Sequence, residues 1–423
     1  MILIDDMGFA SSEAYGGPCV MPNVDRLAAE GALFTRFHTT ALCSSSRQAL
    51  ITGRNHHTAE MGALAEVASS QPGYTGMRPP TVAPISQMLN LNGYSTGHFG
   101  KCHTCPPWET SPSGLMTHWP AHEGFDTFYG FFGADTSQLT PALVDGVLPV
   151  DPPTSPEEGY HLTEDLVDQA MAAHTDEHVG RLLDQLVEWD LYDNTLILYI
   201  LGDNGSSGEA GPYGTTSELA YQNDVILTTD QMIGDIDKIG TRATWSNLSG
   251  GWAQAMNAPY QWSKTVASHF GGTRNGLVMR WPGHITPGKR HQFTYLTDIA
   301  PTLLEAAGCP FPQTVNGAEQ IPFEGEALQY LFTDTDAVEK HDTQYFEIGG
   351  NRAIYHRGWS AGTAHMFPIP IADPSPPLEE DVWELYAPED WSQAHDLAPQ
   401  QPGKLHELRS GSLSKGQVQG LAS

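Results

Sequence analysis

The feature that most narrows what this chain can fold into is a seven-residue apolar run, Thr195-Leu-Ile-Leu-Tyr-Ile-Leu201, ending in Gly202-Asp203-Asn204-Gly205. A strand that is apolar at successive positions must be buried on both faces, the signature of an internal strand in a largely parallel sheet covered by helices. An amphipathic helix precedes it, read from Val179, Leu182, Leu183, Leu186 and Val187 at spacings of three and four. The chain opens the same way: Ile2 to Ile4 is apolar, Asp5-Asp6-Met7-Gly8 turns, and Val24, Leu27 and Ala28 recur at helical spacing until Gly31. Ile2-Leu3-Ile4 is short for a central strand. A further helix is expected over 296–308, with Asp298 as N-cap, Pro301 in its first turn and Gly308 as terminator. Past about Phe323 the pattern weakens into short strand-like pieces and a Trp- and Pro-rich tail. The expected organisation is therefore an α/β domain over 1–322 and a small C-terminal α+β subdomain over 323–423.

Charge removes two classes of partner. Fifty acidic residues against twenty basic ones give a formal charge of −30, which repels a nucleic-acid backbone and an anionic membrane surface. Any site for a small anion then has to be a local basic pocket, which makes each buried Lys or Arg informative. No stretch is long and apolar enough to span a bilayer, and Met1 leads straight into a strand without a basic n-region, so a cytoplasmic location is expected. Cys19, Cys43, Cys102, Cys105 and Cys309 are few and odd in number, which suits a reducing compartment better than a disulfide framework. Cys102 and Cys105 form one C-x-x-C, but no second pair follows at zinc-ribbon spacing.

Ligands of open α/β sheets bind outside the carboxyl ends of the strands, and two such ends carry Asp5-Asp6 and Asp203-Asn204. Three carboxylates and an amide oxygen make a hard oxygen site that suits Ca²⁺ or Mg²⁺ better than zinc. Taken alone, both motifs are also ordinary turn sequences. Cys43-Ser-Ser-Ser-Arg47 leads into Gln48-Ala-Leu-Ile-Thr-Gly53-Arg54, which places Cys43 at the start of a short helix, where thiol pKa falls and anions gather. A lone Cys in such a place is also commonly inert and buried. Lys101 and His103 lie in Gly100-Lys-Cys-His103, and Lys264 and His269 precede the double glycine Gly271-Gly272.

In order along the chain, Asp-Asp-x-Gly after a strand, Pro22-Asn-x-Asp25, Cys43-x-x-x-Arg-x-x-Leu-x-Thr-Gly-Arg54, Gly-Lys-x-His and Gly-Asp-Asn-Gly resemble the motifs of sulfatases, in particular the arylsulfatase branch. The resemblance runs from Asp5 to Trp383-Glu-Leu-Tyr386. It implies the alkaline-phosphatase-like α/β fold, with a mixed, mostly parallel sheet flanked by helices. It also implies one divalent cation, usually Ca²⁺, and a catalytic formylglycine made from the motif Cys by an installing enzyme. Matched residue by residue, Asp5, Asp6, Asp203 and Asn204 correspond to metal ligands, Cys43 to the formylglycine precursor and Arg47 to the residue that holds it. Lys101, His103 and Lys264 correspond to the sulfate-site group. The implied reaction is hydrolysis of a small-molecule sulfate ester: one hydroxyl of the hydrated aldehyde attacks sulfur, and the second, deprotonated with help from His103, then expels sulfate. His269 is the candidate acid for the leaving alcohol. The alternatives are a non-catalytic member of the fold and a phosphate or phosphonate ester hydrolase.

Three positions depart from the family pattern. Ser45 stands where the family has Pro or Ala, which should weaken recognition of Cys43 by an installing enzyme that binds the motif in extended form. Cys102 replaces the usual Trp of the Gly-Lys-x-His motif. Between Glu164 and Thr175 the chain lacks the apolar strand, the further sulfate-contacting histidine and the long loop that the family carries, so a sheet gap or an exposed edge is expected there.

Overall fold

The computed structural model describes residues 1–163, 165–166, 175–223, 225–241, 243–365 and 377–418. Its largest sheet has six strands in the order Ile2–Leu3, Ile197–Leu201, Arg274–Arg280, Ala32–His38, Thr294–Tyr295, with Gly288–Arg290 also pairing with Ala32–His38. Only Arg274–Arg280 runs antiparallel to its neighbours, so among the described residues the sheet is mixed and mostly parallel. The apolar run behaves as its composition demands. Leu198 and Ile200 face one core with Phe34, Leu277 and Ile299, whereas Ile197, Tyr199 and Leu201 face another with Val24, Leu27, Val179 and Leu183. Helices Pro22–Glu30 and Thr175–Glu188 cover the second face, and Ile299–Ala306 covers the first.

Ile2–Leu3 lies at the edge of this sheet among the described residues, not at its centre. A second, four-stranded sheet holds Gly97–Lys101 at its own edge, parallel to Thr127–Phe131. The segment expected to lack a strand and a histidine falls largely on 164 and 167–174, outside the described residues. Asp298 does not cap the helix that follows it. Its carboxylate accepts instead from the backbone N–H groups of Tyr295 (2.7 Å) and Glu326 (2.8 Å), tying that turn to the loop before helix Tyr330–Thr333. Toward the C-terminus, Thr343–Ile348, Asn351–His356, Trp359–Thr363 and Glu384–Tyr386 form an antiparallel meander. Leu408 of helix Pro402–Val418 packs on it with Ile354, Ala361 and Leu385.

Candidate active site

The parallel register Ile2↔Tyr199 and Leu3↔Ile200 carries the two acidic turns past adjacent strand ends and sets them side by side. Asp6 donates its backbone N–H to Asp203 Oδ1 (3.2 Å) and accepts at Oδ1 from Asn204 Nδ2 (2.7 Å). Carboxylate oxygens of Asp5, Asp6 and Asp203 come within 4.8 Å of one another. The turn geometry is demanding. Asp6 adopts φ 52°, and Gly202, at φ 108°, has Met7 O 2.1 Å from where a Cβ would stand, so only glycine fits between the strand and Asp203.

Helix Cys43–Thr52 runs into this cluster, and nine of its ten residues are buried. A helix buried on all sides has to satisfy its polar side chains internally, and the serines do so. Ser44 Oγ accepts from Ala65 N (3.2 Å), Ser45 Oγ donates to Met61 O (2.7 Å), and Ser46 Oγ donates to the carbonyl of Asp203. Gly53 ends the helix in the left-handed conformation at φ 67°. One turn after Cys43, Arg47 Nη2 donates to Asp5 Oδ1 (3.0 Å) and lies 3.3 Å from Asp203 Oδ2, while Nη1 donates to the carbonyl of Lys101 (3.0 Å). Arg47 thus joins both acidic turns to the strand that carries Lys101. The Arg47→Met protein is expected to lose about 3 kcal/mol of stability, because the fully buried Asp203 carboxylate would lose its cation, whereas Asp5, 39% exposed, keeps Lys101. Urea unfolding measures this, and a loss below about 1 kcal/mol would mean the pair behaves as an exposed one.

Lys101 Nζ contacts Asp5 Oδ2 at 2.8 Å, and Lys264 Nζ contacts Asp6 Oδ2 at 3.0 Å and Glu209 Oε2 at 2.9 Å. The charges acting on the Cys43 thiol are those of Lys264, Lys101, Asp203 and Asp5. Burial dominates its titration, however, and pushes it up to about 12 against the pull of the two lysines. The depressed pKa expected of a helix N-terminus is therefore not what this thiol has. Burial, with the Asp5 charge, raises Asp203 to about 7, whereas Lys101 and Arg47 overcome burial at Asp5 and hold it well below the usual carboxylate range. The basic pocket expected from the acidic composition is in fact mixed: Lys101, Lys264 and Arg47 are each paired with a carboxylate.

Such a donor set fits a hard divalent cation. Its oxygens come from carboxylates and an amide, and Asn204 Oδ1 is buried without a hydrogen-bond partner among the described residues. The two expected histidines are each paired with a glutamate. His103, at φ 51°, shares Nε2 with Glu66 Oε2 (3.0 Å), and burial lowers its pKa. His269 meets Ser268 Oγ through Nδ1 (2.9 Å) and Glu384 Oε2 through Nε2 (2.9 Å), with Tyr386 OH 3.4 Å away. With both nitrogens engaged and 1% of the residue exposed, His269 ties the Lys264 segment to the C-terminal meander. Glu209, Glu66 and Glu384 were not nominated from sequence. Only Glu384 carried a signal, as part of Trp383-Glu-Leu-Tyr386.

Comparison with known proteins decides the family. The family model described as Sulfatase matches residues 1–174 and 169–309. The chain belongs to the sulfatase family. The two parts of that match overlap at 169–174. This sulfatase is 24% identical to an uncharacterized sulfatase of Schizosaccharomyces pombe over 526 aligned positions, covering 96% of this chain and 91% of that protein. Because 526 exceeds the 423 residues present here by 103, the yeast protein carries at least that many residues without a counterpart. Arylsulfatase A of Bos taurus is 27% identical over 358 residues, covering 76% of this chain and 66% of its own length. A solved sulfatase from Pseudoalteromonas sp. superposes with a TM-score of 0.65 at 17% identity, covering 99% of this chain and 89% of that one, which shows the shared fold. Membership supports hydrolysis of sulfate esters as the general activity.

Proposed function

We propose that this sulfatase hydrolyses small-molecule sulfate esters of the arylsulfatase type, with Cys43 as formylglycine precursor and Asp5, Asp6, Asp203 and Asn204 holding one Ca²⁺ or Mg²⁺. The observation that supports this reading is that the first turns of helix Cys43–Thr52 meet the acidic cluster, Ser46 donating to the Asp203 carbonyl and Arg47 pairing with Asp5 and Asp203, with Lys101 and Lys264 tethered to Asp5 and Asp6. When bound, the cation supplies Lewis-acid polarisation of a sulfate oxygen; when formed, formylglycine supplies a nucleophile that water can regenerate.

The remaining work belongs to the chain's own side chains. Lys101 and Lys264 are spaced to donate to sulfate oxygens from two sides, because each is tethered by a different aspartate, Asp5 or Asp6. Four carboxylates, Asp5, Asp6, Asp203 and Glu209, alongside three cations leave no net positive charge, so capture of an anionic ester depends on added cation charge. Arg47 holds the first turn of the helix against both aspartates. Glu66 orients the His103 ring so that its other nitrogen, Nδ1, which has no partner among the described residues, is the one available to move a proton.

A specific feature favours a second reading, a non-catalytic member that keeps Cys43 as a thiol. Ser45 breaks the maturation motif and, through its bond to Met61 O, is built into the folded helix. Mass spectrometry of the tryptic peptide covering residues 37–47, from a host with the installing enzyme, separates the two. An aldehyde mass supports the hydrolase; unmodified Cys43 alone supports the non-catalytic reading. Ser45→Pro should raise the converted fraction several-fold. Proline fits the third position of a helix, where no backbone N–H is used, and the lost Met61 contact costs only about 1 kcal/mol. An unchanged fraction would clear Ser45 of blame.

A further inference from the structure

Cys102 and Cys105 stand outside the chemistry above, yet they occupy its most sensitive loop. Cys102 lies between Lys101 and His103, directly after strand Gly97–Lys101, and its N–H donates to Phe131 O (2.9 Å). The two sulfurs are 3.7 Å apart. They sit in an apolar cluster with Trp119, Phe128, Phe132 and Val144. Cys102 Sγ also contacts Thr104 Oγ1 (3.3 Å), and Cys105 Sγ donates to His118 O (3.0 Å). The buried Arg78, itself ion-paired with Glu123, also acts on both thiols.

The pair is chemically asymmetric. The hydrogen bond from Cys105 is the main cause that brings Cys102 down to about 7, whereas burial keeps Cys105 well above the usual thiol range. One thiol suited to attack beside one held protonated is the arrangement that makes a C-x-x-C pair reactive in exchange.

We propose that Cys102 and Cys105 form a reversible redox pair, closed to a disulfide by small-molecule disulfides of the glutathione class, that shifts the loop bearing Lys101 and His103. The Cys102 thiolate attacks one sulfur of the small disulfide, forming a mixed disulfide and releasing one small thiolate. Cys105 then loses its proton to that thiolate and attacks the Cys102 sulfur, forming the internal bond and releasing a second small thiolate, which takes a proton from water. Two protein thiols are oxidised, and one small disulfide is reduced to two thiols. At 2% and 1% exposure the pair reacts only when the loop opens, which makes the exchange slower than at the exposed Cys19. Closure draws the sulfurs from 3.7 Å to a bond of about 2.05 Å. Lys101 and His103 flank Cys102 and hold Asp5 and Glu66 at 2.8 and 3.0 Å, so the part of the closure taken up by the backbone at 102 is passed to both contacts.

The test uses the full chain, matured in a host with the installing enzyme, equilibrated in glutathione mixtures from reducing to oxidising, alkylated and mapped by peptide mass. The expected result is a 102–105 linkage two hydrogens lighter, with Cys309 still alkylated. Aryl sulfate turnover should fall at least about tenfold, recover with dithiothreitol, and not fall in Cys105→Ser protein under the same oxidant. Hydrogen exchange across residues 101–103 reads the loop shift in protein without turnover, so failure of the hydrolase reading and failure of the switch are separable. Absence of the linkage in folded protein at every ratio, or linkage with turnover and exchange both unchanged, overturns the proposal.

Discussion

Cys43→Ala protein is expected to fold and yet to hydrolyse 4-nitrophenyl sulfate at least about 10³-fold more slowly than matured wild type. The two effects separate because Cys43 contributes little that alanine does not. It is buried at the first position of its helix, it caps nothing, and removing one sulfur from a packed site costs about 1–2 kcal/mol. Lys101, Lys264, Arg47 and the three aspartates stay in place, so substrate capture and the KM should change far less than kcat. Steady-state kinetics beside a urea melt checks both halves. Residual turnover within tenfold of wild type would show that another group, or water, performs the attack, and the Cys43 assignment would fall.

The second large effect is thermodynamic and needs no substrate. Added Ca²⁺ should raise the melting temperature of wild-type protein in a concentration-dependent way, because a ligand that binds only the folded state at a hundred times its Kd adds about 2.7 kcal/mol. Asp203→Asn protein should show little of that shift. Its apo form should not melt far below wild type, since the substitution removes a fully buried carboxylate crowded by Asp5 and Asp6. An equal calcium shift in the variant would remove Asp203 from the cation site. A shift in neither protein would remove the site altogether, whatever the fate of Cys43.

Both predictions rest on side chains that the sequence marked, and the reason is local. Strand-end acids, the Cys43 helix and its Gly53 stop are written within a few residues each, where hydrophobic period and turn chemistry act directly. The continuous apolar run 195–201 could not be stable unless covered on both sides, so a helix-flanked sheet followed from it. What lies between distant segments was not legible in this way. Nothing near Ile2 says that Leu3 pairs with Ile200, the register that sets Asp6 beside Asp203. Nothing near Lys264 announces Glu209, and nothing near His103 announces Glu66.

The same limit accounts for the expectations that changed. A helix N-terminus favours a thiolate, but burial outweighs it at Cys43, and burial is a property of the whole packing. The partners of His269, Glu384 and Tyr386, lie more than a hundred residues away and could not be read beside it. Asp298 has the composition of an N-cap, yet its carboxylate serves Tyr295 and Glu326. The sequence by itself determined the buried strand at 195–201, the amphipathic helices beside it and which side chains are chemically equipped. Tertiary structure alone decided which of them meet and in what ionisation state, because both depend on long-range register and on loss of solvent, which no local pattern encodes.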